Sequence, residues 1–376
     1  MKNIFSIAGS FLIFSVLACT HVDKVEFTDG ETTQTENPDP FSAKKVTVDM
    51  GPGFNLGNTF DNGNNPTTFT SIKPIIDLYK NAGMKHIRIP TTWMDRFPDN
   101  LADSNGNLNV NHPRFLELVA TIDYALSQNL YVILNTHHES WLKDHYDGSA
   151  AYDTKFRTLW TGIASYFKNY PKKLIFEVLN EPEGYLGELD GSGPFPDPTD
   201  AKALEYTRRV NLVGYNAIRT TGGNNDKRII MVGMNGQGNA LYIANVYPNK
   251  ASLPGTGNDD YVTLQVHTYT PWAFCGETGS NAAFPGSATF EKGIQDVKIQ
   301  SVKLNVPIHY GEFGVGRTTN TAERNTDLVR GYYRTMAKTT LAQSMSYSVW
   351  DDRGWFALAN PAGTSFVYNI VPFMLQ

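Results

Sequence analysis

The chain contains 376 residues, 41% of them hydrophobic and 18% charged, which is enough material for a large packed core. Its formal net charge is −5, from 37 acidic and 32 basic residues, and no basic cluster is longer than a pair. This composition excludes a polybasic surface, so we expect no nucleic acid as a partner.

The N-terminus has the pattern of an export signal. Lys2 precedes an apolar stretch from Ile4 to Val16, which is too short for a stable membrane-spanning helix. The sequence SVLAC at its end resembles a bacterial lipobox, in which Cys19 becomes the lipidated first residue of the mature chain. A plain signal peptide cleaved nearby is the alternative. We predict a signal peptide with a lipobox over residues 1–19, and an exported protein that contacts a membrane only through a lipid anchor at Cys19.

A change in composition separates the next segment from the rest of the chain. Residues 20–45 are polar, rich in Thr, Asp, Glu and Pro, and lack hydrophobic periodicity, so we predict a linker there. From 46 to 376 the composition is even, which predicts a single domain. Cys275 is the only cysteine besides Cys19, so once Cys19 is processed the domain must fold without an internal disulfide.

Eight short apolar segments recur along this domain, and each has the composition of a buried strand. They are Gly53–Asn58, Lys85–Pro90, Leu130–His138, Lys173–Glu181, Arg228–Met234, Val262–Tyr269, Val306–Phe313 and Ser346–Asp351. Helical patterns lie between them, for example 69–84, where Ile72, Ile75, Ile76 and Tyr79 recur at helical spacing and Gly83 suits a C-cap.

Apolar strands that alternate with helices predict parallel strands buried on both faces. Eight of them in one domain predict an α/β fold, the closed (β/α)8 TIM barrel. An open doubly wound sheet is the alternative. The first predicted strand is not followed by a glycine-rich phosphate loop, which argues against that alternative.

Polar side chains mark the C-terminal ends of the predicted strands, which converge on one face of a barrel. These residues are Arg88, His137, Asn180, Glu181, His267, Tyr269, Glu312 and Trp350. Pro182 follows directly and is expected to end the fourth strand. Neighbouring residues on a regular strand point to opposite faces, so Asn180 and Glu181 can both face the site only if the strand bulges or has already turned.

Two of these residues are carboxylates, Glu181 and Glu312, and this pair is what cleavage of a glycosidic bond requires. One carboxyl group must donate a proton to the leaving oxygen, and the other must attack the sugar or activate water. The cationic Arg88 would help to keep one of them ionised. The strand ends therefore predict a glycoside-cleaving site.

The domain resembles glycoside hydrolase family five, whose retaining, endo-acting enzymes cleave β-linked glucans and mannans. The resemblance rests on seven motifs in the family's order, namely NLGNT, IRIP, NTHHE, LNEP, VHTY, GEFG and VWD. It implies that Glu181 is the general acid/base and Glu312 the nucleophile. The substrate-binding positions that it implies are Arg88, His137, Asn180, His267, Tyr269 and Trp350.

Further residues are candidates for sugar contacts. Asn58 and His138 would hydrogen-bond a neighbouring sugar, or equally would anchor loops. Tryptophans follow the predicted strands two, three, six and eight, in loops that we expect to rim the cleft, and we expect two of the four to be sugar platforms. These are Trp93, Trp141, Trp272 and Trp355.

A cluster of metal-binding residue types follows the third predicted strand, comprising His137, His138, Glu139 and His145. It does not have the zincin spacing, because position 142 is Leu, and adjacent histidines on an extended strand point apart. We therefore predict no metal and no cofactor.

The motifs NLGNT and HTYTPW look most like the endoglucanase and xyloglucanase branches of the family. The leading hypothesis is a retaining endo-β-1,4-glucanase that acts on a β-glucan polysaccharide as a monomer. A xyloglucan-specific or mixed-linkage glucanase is the nearest rival, and a mannanase is a weaker one. A non-catalytic glycan-binding lipoprotein is the alternative from a different class, but the presence of both carboxylates argues against it.

Overall fold

The computed structural model describes residues 39–189 and 193–376. Eight parallel strands form a closed barrel in which each strand pairs with the next and the last pairs with the first. The strands are β1 Pro52–Asn55, β2 His86–Ile89, β3 Tyr131–Asn135, β4 Leu174–Glu177, β5 Ile230–Gly233, β6 Val262–Thr268, β7 Ile308–Phe313 and β8 Ser346–Val349. The predicted TIM barrel is confirmed, and each predicted strand overlaps an observed one.

Helices precede, connect and follow the strands. They are α1 Ala43–Met50, α2 Phe69–Ala82, α3 Pro113–Ser127, α4 Ser140–Lys143, α5 Ala150–Phe167, α6 Ala201–Arg219, α7 Asn235–Gly238, α8 Ile243–Val246, α9 Trp272–Cys275, α10 Ser287–Leu304, α11 Asp327–Ala342 and α12 Ile370–Met374. In α2 the four predicted core residues are buried, and Gly83 ends the helix in the left-handed conformation. The periodicity therefore located this helix and its end correctly.

The connection from β5 to β6 departs from the predicted alternation of strand and helix. It contains only the four-residue segments α7 and α8 and short 3-10 turns. Within α7, Gly236 and Gln237 have φ values of 57° and 60°, which makes it a left-handed turn. The segment is rich in Gly, Asn and Pro, which interrupt a helix, so an irregular loop replaces the helix here.

The fourth strand ends earlier than predicted. β4 stops at Glu177. Beyond it, the Val178 amide still donates to the Met231 carbonyl of β5, and the Asn180 amide donates to the Thr136 carbonyl just after β3. By Glu181 the chain has left the strand, since this residue has a φ of 42°. The expectation that Pro182 ends the ladder is therefore wrong. A turn before Pro182 allows neighbouring residues to face the same site.

Helix α1 packs across the N-terminal end of the barrel, opposite the predicted site. Its residues Ala43, Val46 and Met50 are buried against the barrel side chains Tyr131 and Ile133. The predicted boundary between linker and domain, at residues 45 and 46, falls inside this helix. In the sequence, the polar residues Lys44, Lys45 and Asp49 interrupt the short apolar face that this helix buries, so the pattern did not indicate a helix here.

The predictions about export fall largely on a part of the chain that the structure does not describe. The signal peptide, the lipobox with Cys19 and residues 20–38 lie outside the described residues. No helix in the described ranges is long and apolar enough to cross a membrane. Cys275 is buried and carries a free thiol.

Candidate active site

Arg88 lies at the centre of a buried polar network in the mouth of the barrel. Its Nε and Nη2 donate to both oxygens of Glu177 at 2.7 Å, and its Nη1 donates to Glu312 Oε1 at 2.7 Å. Nη1 also reaches Asn55 Oδ1 at 2.9 Å, and Nη2 reaches Asn180 Oδ1 at 2.7 Å. All five N–H groups of the guanidinium thus have partners, and one cation is shared between two carboxylates.

Glu312 comes from the end of β7 and is 5% exposed. Tyr269, which follows β6, donates its hydroxyl to Glu312 Oε2 at 3.1 Å. Burial raises the pKa of Glu312, while His267 and Arg88 oppose this increase. Two donors therefore hold the carboxylate in place and stabilise its ionised form.

Glu181 reaches the site from the left-handed turn after β4, and 23% of its side chain is exposed. Its Oε1 lies 2.8 Å from His267 Nδ1. Burial raises the pKa of Glu181 to about 7, the nearby Glu183 adds to the rise, and Lys143 and Arg88 oppose it. A carboxyl group with this pKa can carry a proton near neutral pH.

His267 connects the two carboxyl groups. Its Nδ1 is 2.8 Å from Glu181 Oε1 and 3.8 Å from Glu312 Oε2. One oxygen of Glu181, one oxygen of Glu312 and one ring nitrogen of His267 all lie within 4.8 Å of one another. Burial lowers the pKa of His267 to about 4, so the ring is neutral around pH 7. Two carboxyl groups with different environments therefore face each other across a short gap.

A cavity of about 780 Å³ opens above these residues. Eight of the ten predicted site residues line it, namely Asn58, His137, His138, Glu181, His267, Tyr269, Glu312 and Trp350. The other two, Arg88 and Asn180, are fully buried and contact the lining carboxylates Glu312 and Glu181. The structure thus brings all ten predicted residues together.

Trp350 forms a flat wall of the cavity. Its ring is nearly parallel to that of His137, with centroids 6.3 Å apart and 7° between the planes. Gly57 packs against the ring, because a Cβ there would lie 2.8 Å from Trp350. The absence of a side chain at position 57 allows this orientation, in which 9% of Trp350 is exposed.

Asn58 and His138 line the cavity and also hold loops in place. The Asn58 amide donates to Asp61 Oδ2 at 3.1 Å, and its side-chain oxygen accepts from Asn62 at 2.8 Å. The His138 amide donates to the Thr92 hydroxyl at 3.1 Å. The two residues are thus positioned both for loop anchoring and for contact with a ligand.

The four tryptophans divide into two pairs. Trp93 is fully buried and its Nε1 donates to the Asn135 carbonyl, so the expectation that it rims the cleft is wrong. Trp141 is half-buried and packs against the core, with its Nε1 on Glu139. Trp272 and Trp355 are 51% and 57% exposed, and Trp272 lines the cavity.

The four residues tested as metal ligands do not converge in the structure. Glu139 turns away from the cavity to accept hydrogen bonds from Trp93 and Trp141. His145 is exposed and lines a different cavity. Asp61, which was not predicted, lies instead beside His137 and His138, with its ligand atom within 4.8 Å of theirs.

The most important residue that was not predicted is Glu177, the bidentate partner of Arg88. It is fully buried, and although burial raises its pKa, Arg88 leaves the net pKa below the ordinary value. A lone carboxylate inside the apolar run LIFEVL was a sequence signal for it, because a buried charge requires a partner. Gln237 had no comparable signal, since a fold-specific turn after β5 brings it to the cavity.

A family model described as Cellulase (glycosyl hydrolase family 5) matches residues 49–353 of the chain. The chain belongs to glycosyl hydrolase family 5. This confirms the family resemblance that the seven motifs had indicated. Membership in family 5 also agrees with the closed barrel, with Glu312 at the end of β7 and with Glu181 in the turn after β4.

Proteins named as endoglucanases and a lichenase are similar to this chain. The chain is 32% identical to Endoglucanase A of Clostridium longisporum over 346 residues, which cover 86% of this chain and 61% of that protein. The chain thus spans about three fifths of that relative's length. A broad-specificity endoglucanase of the same organism is similar in structure, with a TM-score of 0.73, 26% identity, and coverage of 89% and 97% of the two chains. A lichenase from Caldicellulosiruptor sp. F32, solved with cellotetraose, has a TM-score of 0.73 at 25% identity and covers 94% and 99%.

Proposed function

We propose that this protein is a retaining, endo-acting β-1,4-glucanase. The observation that carries the proposal is the Glu181–His267–Glu312 arrangement in an open cavity, in which one oxygen of Glu181 and one oxygen of Glu312 lie within 4.8 Å of each other. Retaining glycosidases place their carboxyl groups about 5–5.5 Å apart, whereas inverting ones need about 6.5–9.5 Å to admit a water molecule. The short separation supports direct attack by one carboxylate.

The reaction proceeds by two displacements. Protonated Glu181 donates its proton to the glycosidic oxygen while Glu312 attacks the anomeric carbon, so the C–O bond breaks and a glycosyl-enzyme ester forms. Glu181, now ionised, accepts a proton from water. That water attacks the anomeric carbon, releases Glu312, and gives a product with the original anomeric configuration.

The surroundings of the two carboxyl groups support these roles. Glu312 receives hydrogen bonds from Arg88 and Tyr269, which favour its ionised form, as a nucleophile requires. Glu181 has no such contact with Arg88, and its pKa of about 7 keeps it protonated in slightly acidic solution. The pair therefore resembles the division between acid and nucleophile found in glycosidases.

Two further side chains are suited to bind the sugar at the cleavage point. Arg88 holds the Asn180 oxygen, which directs the Asn180 amide group toward Glu181 Oε2, 3.5 Å away. From there the amide can donate to a sugar 2-hydroxyl, a contact that strengthens in the transition state. Trp350 offers an apolar face against which a pyranose ring can pack.

The preferred substrate is an unbranched β-glucan. Exposed Trp272 extends the aromatic lining beyond the catalytic residues, as binding of a polymer chain requires. Mixed-linkage β-glucan is the second candidate, because the similar structures include a lichenase and a broad-specificity endoglucanase. Xyloglucan stays a candidate only if the cleft accepts its branches.

We further infer that the protein is exported and acts as a monomer. The charged, apolar and small-residue order of residues 1–19 supports export, and the SVLAC sequence supports lipidation at Cys19. Mass spectrometry of the membrane fraction would detect the lipid on Cys19. A cytoplasmic, unprocessed chain would contradict export.

The decisive experiment measures reducing-sugar release from carboxymethylcellulose, mixed-linkage β-glucan, xyloglucan and glucomannan. We expect the wild type to cut the unbranched glucans, and Glu312→Gln to lose activity by at least about 1,000-fold. Glu291→Gln, an exposed change on α10, is the matched control and should retain full activity. NMR of the first product should show the β-anomer.

Binding of these polymers without cleavage would contradict the proposal and favour a glycan-binding protein. An α-anomer as first product would contradict the retaining mechanism alone. Cleavage of glucomannan in strong preference to the glucans would instead favour a mannanase.

A further inference from the structure

A buried lysine lies beside the turn that follows Glu181. Lys143 ends α4, and only 2% of its side chain is exposed. Its Nζ donates to Glu183 Oε1 at 3.0 Å. Removing an ammonium group from water is costly unless it is paired, so Glu183 compensates the charge of Lys143.

Glu183 is held on its other side by the loop that follows β5. Gln237 donates from its Nε2 to Glu183 Oε2 at 3.3 Å, and its backbone amide donates to the Pro182 carbonyl at 3.2 Å. Both bonds depend on the left-handed conformation of Gln237, whose φ is 60°. The two sides of the Lys143–Glu183 pair are thus fixed by different loops of the barrel.

The pair is linked directly to the proposed proton donor. Glu183 is two residues from Glu181, and the intervening Pro182 limits the freedom of the turn. Gly184 continues it with a φ of 62°, and a Cβ there would lie 2.5 Å from the Lys143 carbonyl oxygen. The turn that presents Glu181 is therefore pressed against the end of α4.

We propose that Lys143 and Glu183 are a positioning pair whose opposed charges set the pH range over which Glu181 can donate its proton. This inference rests on the proposed glycosidase function and deepens it. Glu183 is negative and favours the protonated form of Glu181, whereas Lys143 is positive and favours the ionised form. Neither residue touches the reacting atoms in this role.

Other charged or titratable groups also face Glu181 or share its cavity. They are Asp61 after β1, Arg88 from β2, His137 and His138 after β3, His267 and Tyr269 from β6 and its end, and Glu312 from β7. Asp144 after α4 interacts with Glu183 and Lys143 instead. Burial raises the pKa of Asp61 to about 7, but Asp61 is the same in every variant compared below. Burial lowers the pKa of His138 to about 3 and that of His267 to about 4, so both are neutral in the relevant range. The positive charge of Arg88 is compensated by its ion pairs with Glu177 and Glu312.

The test is the pH dependence of kcat/KM on a soluble β-glucan, whose alkaline limb reports loss of the proton from the acid. Glu183→Gln should move this limb to lower pH by roughly half a unit or more, and Lys143→Gln should move it to higher pH. In the double variant the limb should return toward the wild-type position. The acidic limb, which reports Glu312, should stay in place in all three.

Opposite shifts distinguish this role from a purely structural one, which would lower kcat or thermal stability without moving the limb. Lys143→Arg keeps the charge and should leave the limb unchanged. The exposed pair Lys292–Asp296 on α10 supplies the control, since Lys292→Gln and Asp296→Asn should have no effect. Should Lys143→Gln fail to fold, Glu183→Gln alone still decides the question.

Unchanged limbs in an active enzyme, or shifts of Glu183→Gln and Lys143→Gln in the same direction, would overturn the inference. Absence of glycosidase activity in the wild type would instead overturn the proposed function. The two failures are therefore distinct.

Discussion

Arg88 cannot be replaced by another cation without loss, because its planar group meets acceptors from four residues at once. A lysine ammonium has three donors and no flat fork, so it cannot reproduce the bidentate contact with Glu177. Arg88 thus contributes both to the stability of the barrel mouth and to the ionisation of Glu312.

We predict that Arg88→Met lowers the free energy of unfolding by about 3–5 kcal/mol, because it leaves Glu177 buried without its cation. It should also reduce kcat/KM by at least about 100-fold, since Glu312 loses a charge-assisted hydrogen bond. Urea unfolding and steady-state kinetics measure the two effects. The same change at Arg330, which pairs with the fully exposed Asp327, should cost less than about 1 kcal/mol. Equal losses at both positions would contradict the argument.

At the scale of elements, α1 closes the end of the barrel opposite the cleft. Met50 on this helix is fully buried, and its carbonyl oxygen lies 3.0 Å from His86 Nδ1 in the barrel interior. The helix therefore contributes to the hydrophobic core without lining the cavity that contains Glu181 and Glu312. A substitution in the buried face of α1 should therefore lower the stability of the protein without changing its activity.

We predict that Met50→Ala lowers the free energy of unfolding by about 2–5 kcal/mol, because it opens a cavity under the barrel. The kcat/KM of the folded protein should stay within about twofold of the wild type. Val48 on the same helix is 52% exposed, and Val48→Ala should change stability by less than about 0.5 kcal/mol. Denaturant unfolding at 25 °C and activity at the same temperature provide the measurement. A large loss of activity in Met50→Ala would show that the two ends of the barrel are coupled.

At the scale of the whole molecule, the barrel interior contains a pair of buried histidines. The rings of His86 and His309 have centroids 5.2 Å apart, and both contact the Ser348 hydroxyl. Gly53 leaves room for this arrangement, because a Cβ there would lie 2.2 Å from His86. Burial lowers the pKa of His86 to about 4 and holds that of His309 well below the usual range.

This pair should make the protein sensitive to acid. An unfolded histidine binds a proton below about pH 6.5, whereas His86 resists protonation until about pH 4, so the unfolded state gains protons first. The contribution of His86 to the free energy of unfolding, roughly 3 kcal/mol, is therefore present above pH 6.5 and is lost as the pH falls toward 4. Asp61 and Glu139, whose pKa values burial raises to about 7, have the opposite dependence.

The comparison between variants isolates the histidine effect from these opposing carboxyl groups. We predict that His86→Gln reduces the loss of unfolding free energy between pH 7 and pH 4.5, measured by urea titration at each pH. The exposed His145→Gln is the control and should reproduce the wild-type slope. An unchanged slope in His86→Gln would show that His86 is already protonated in the folded barrel.

The sequence alone predicted the repeated strand and helix units, since these depend on local patterns, but it placed the ends of β1, β3 and β4 three or four residues too late. The apolar residues of α2 and the C-cap at Gly83 follow from helical periodicity, and the ten site residues follow from polar groups at strand ends. The sequence missed Glu177, the packing of α1 and the irregular β5–β6 connection. Trp93 was misplaced because a tryptophan after a strand has the same local pattern in a core as at a rim.

The barrel, the family and the two carboxylates could therefore be identified before folding was considered, because hydrophobic periodicity and the order of motifs are properties of the linear chain. Which groups meet depends on the folded structure. Closure of the barrel brings Arg88 to Glu177 and Glu312, which lie 89 and 224 residues away in sequence. Burial and these long-range contacts set the pKa values of Glu181 and Glu312, and neither quantity exists until the chain has folded.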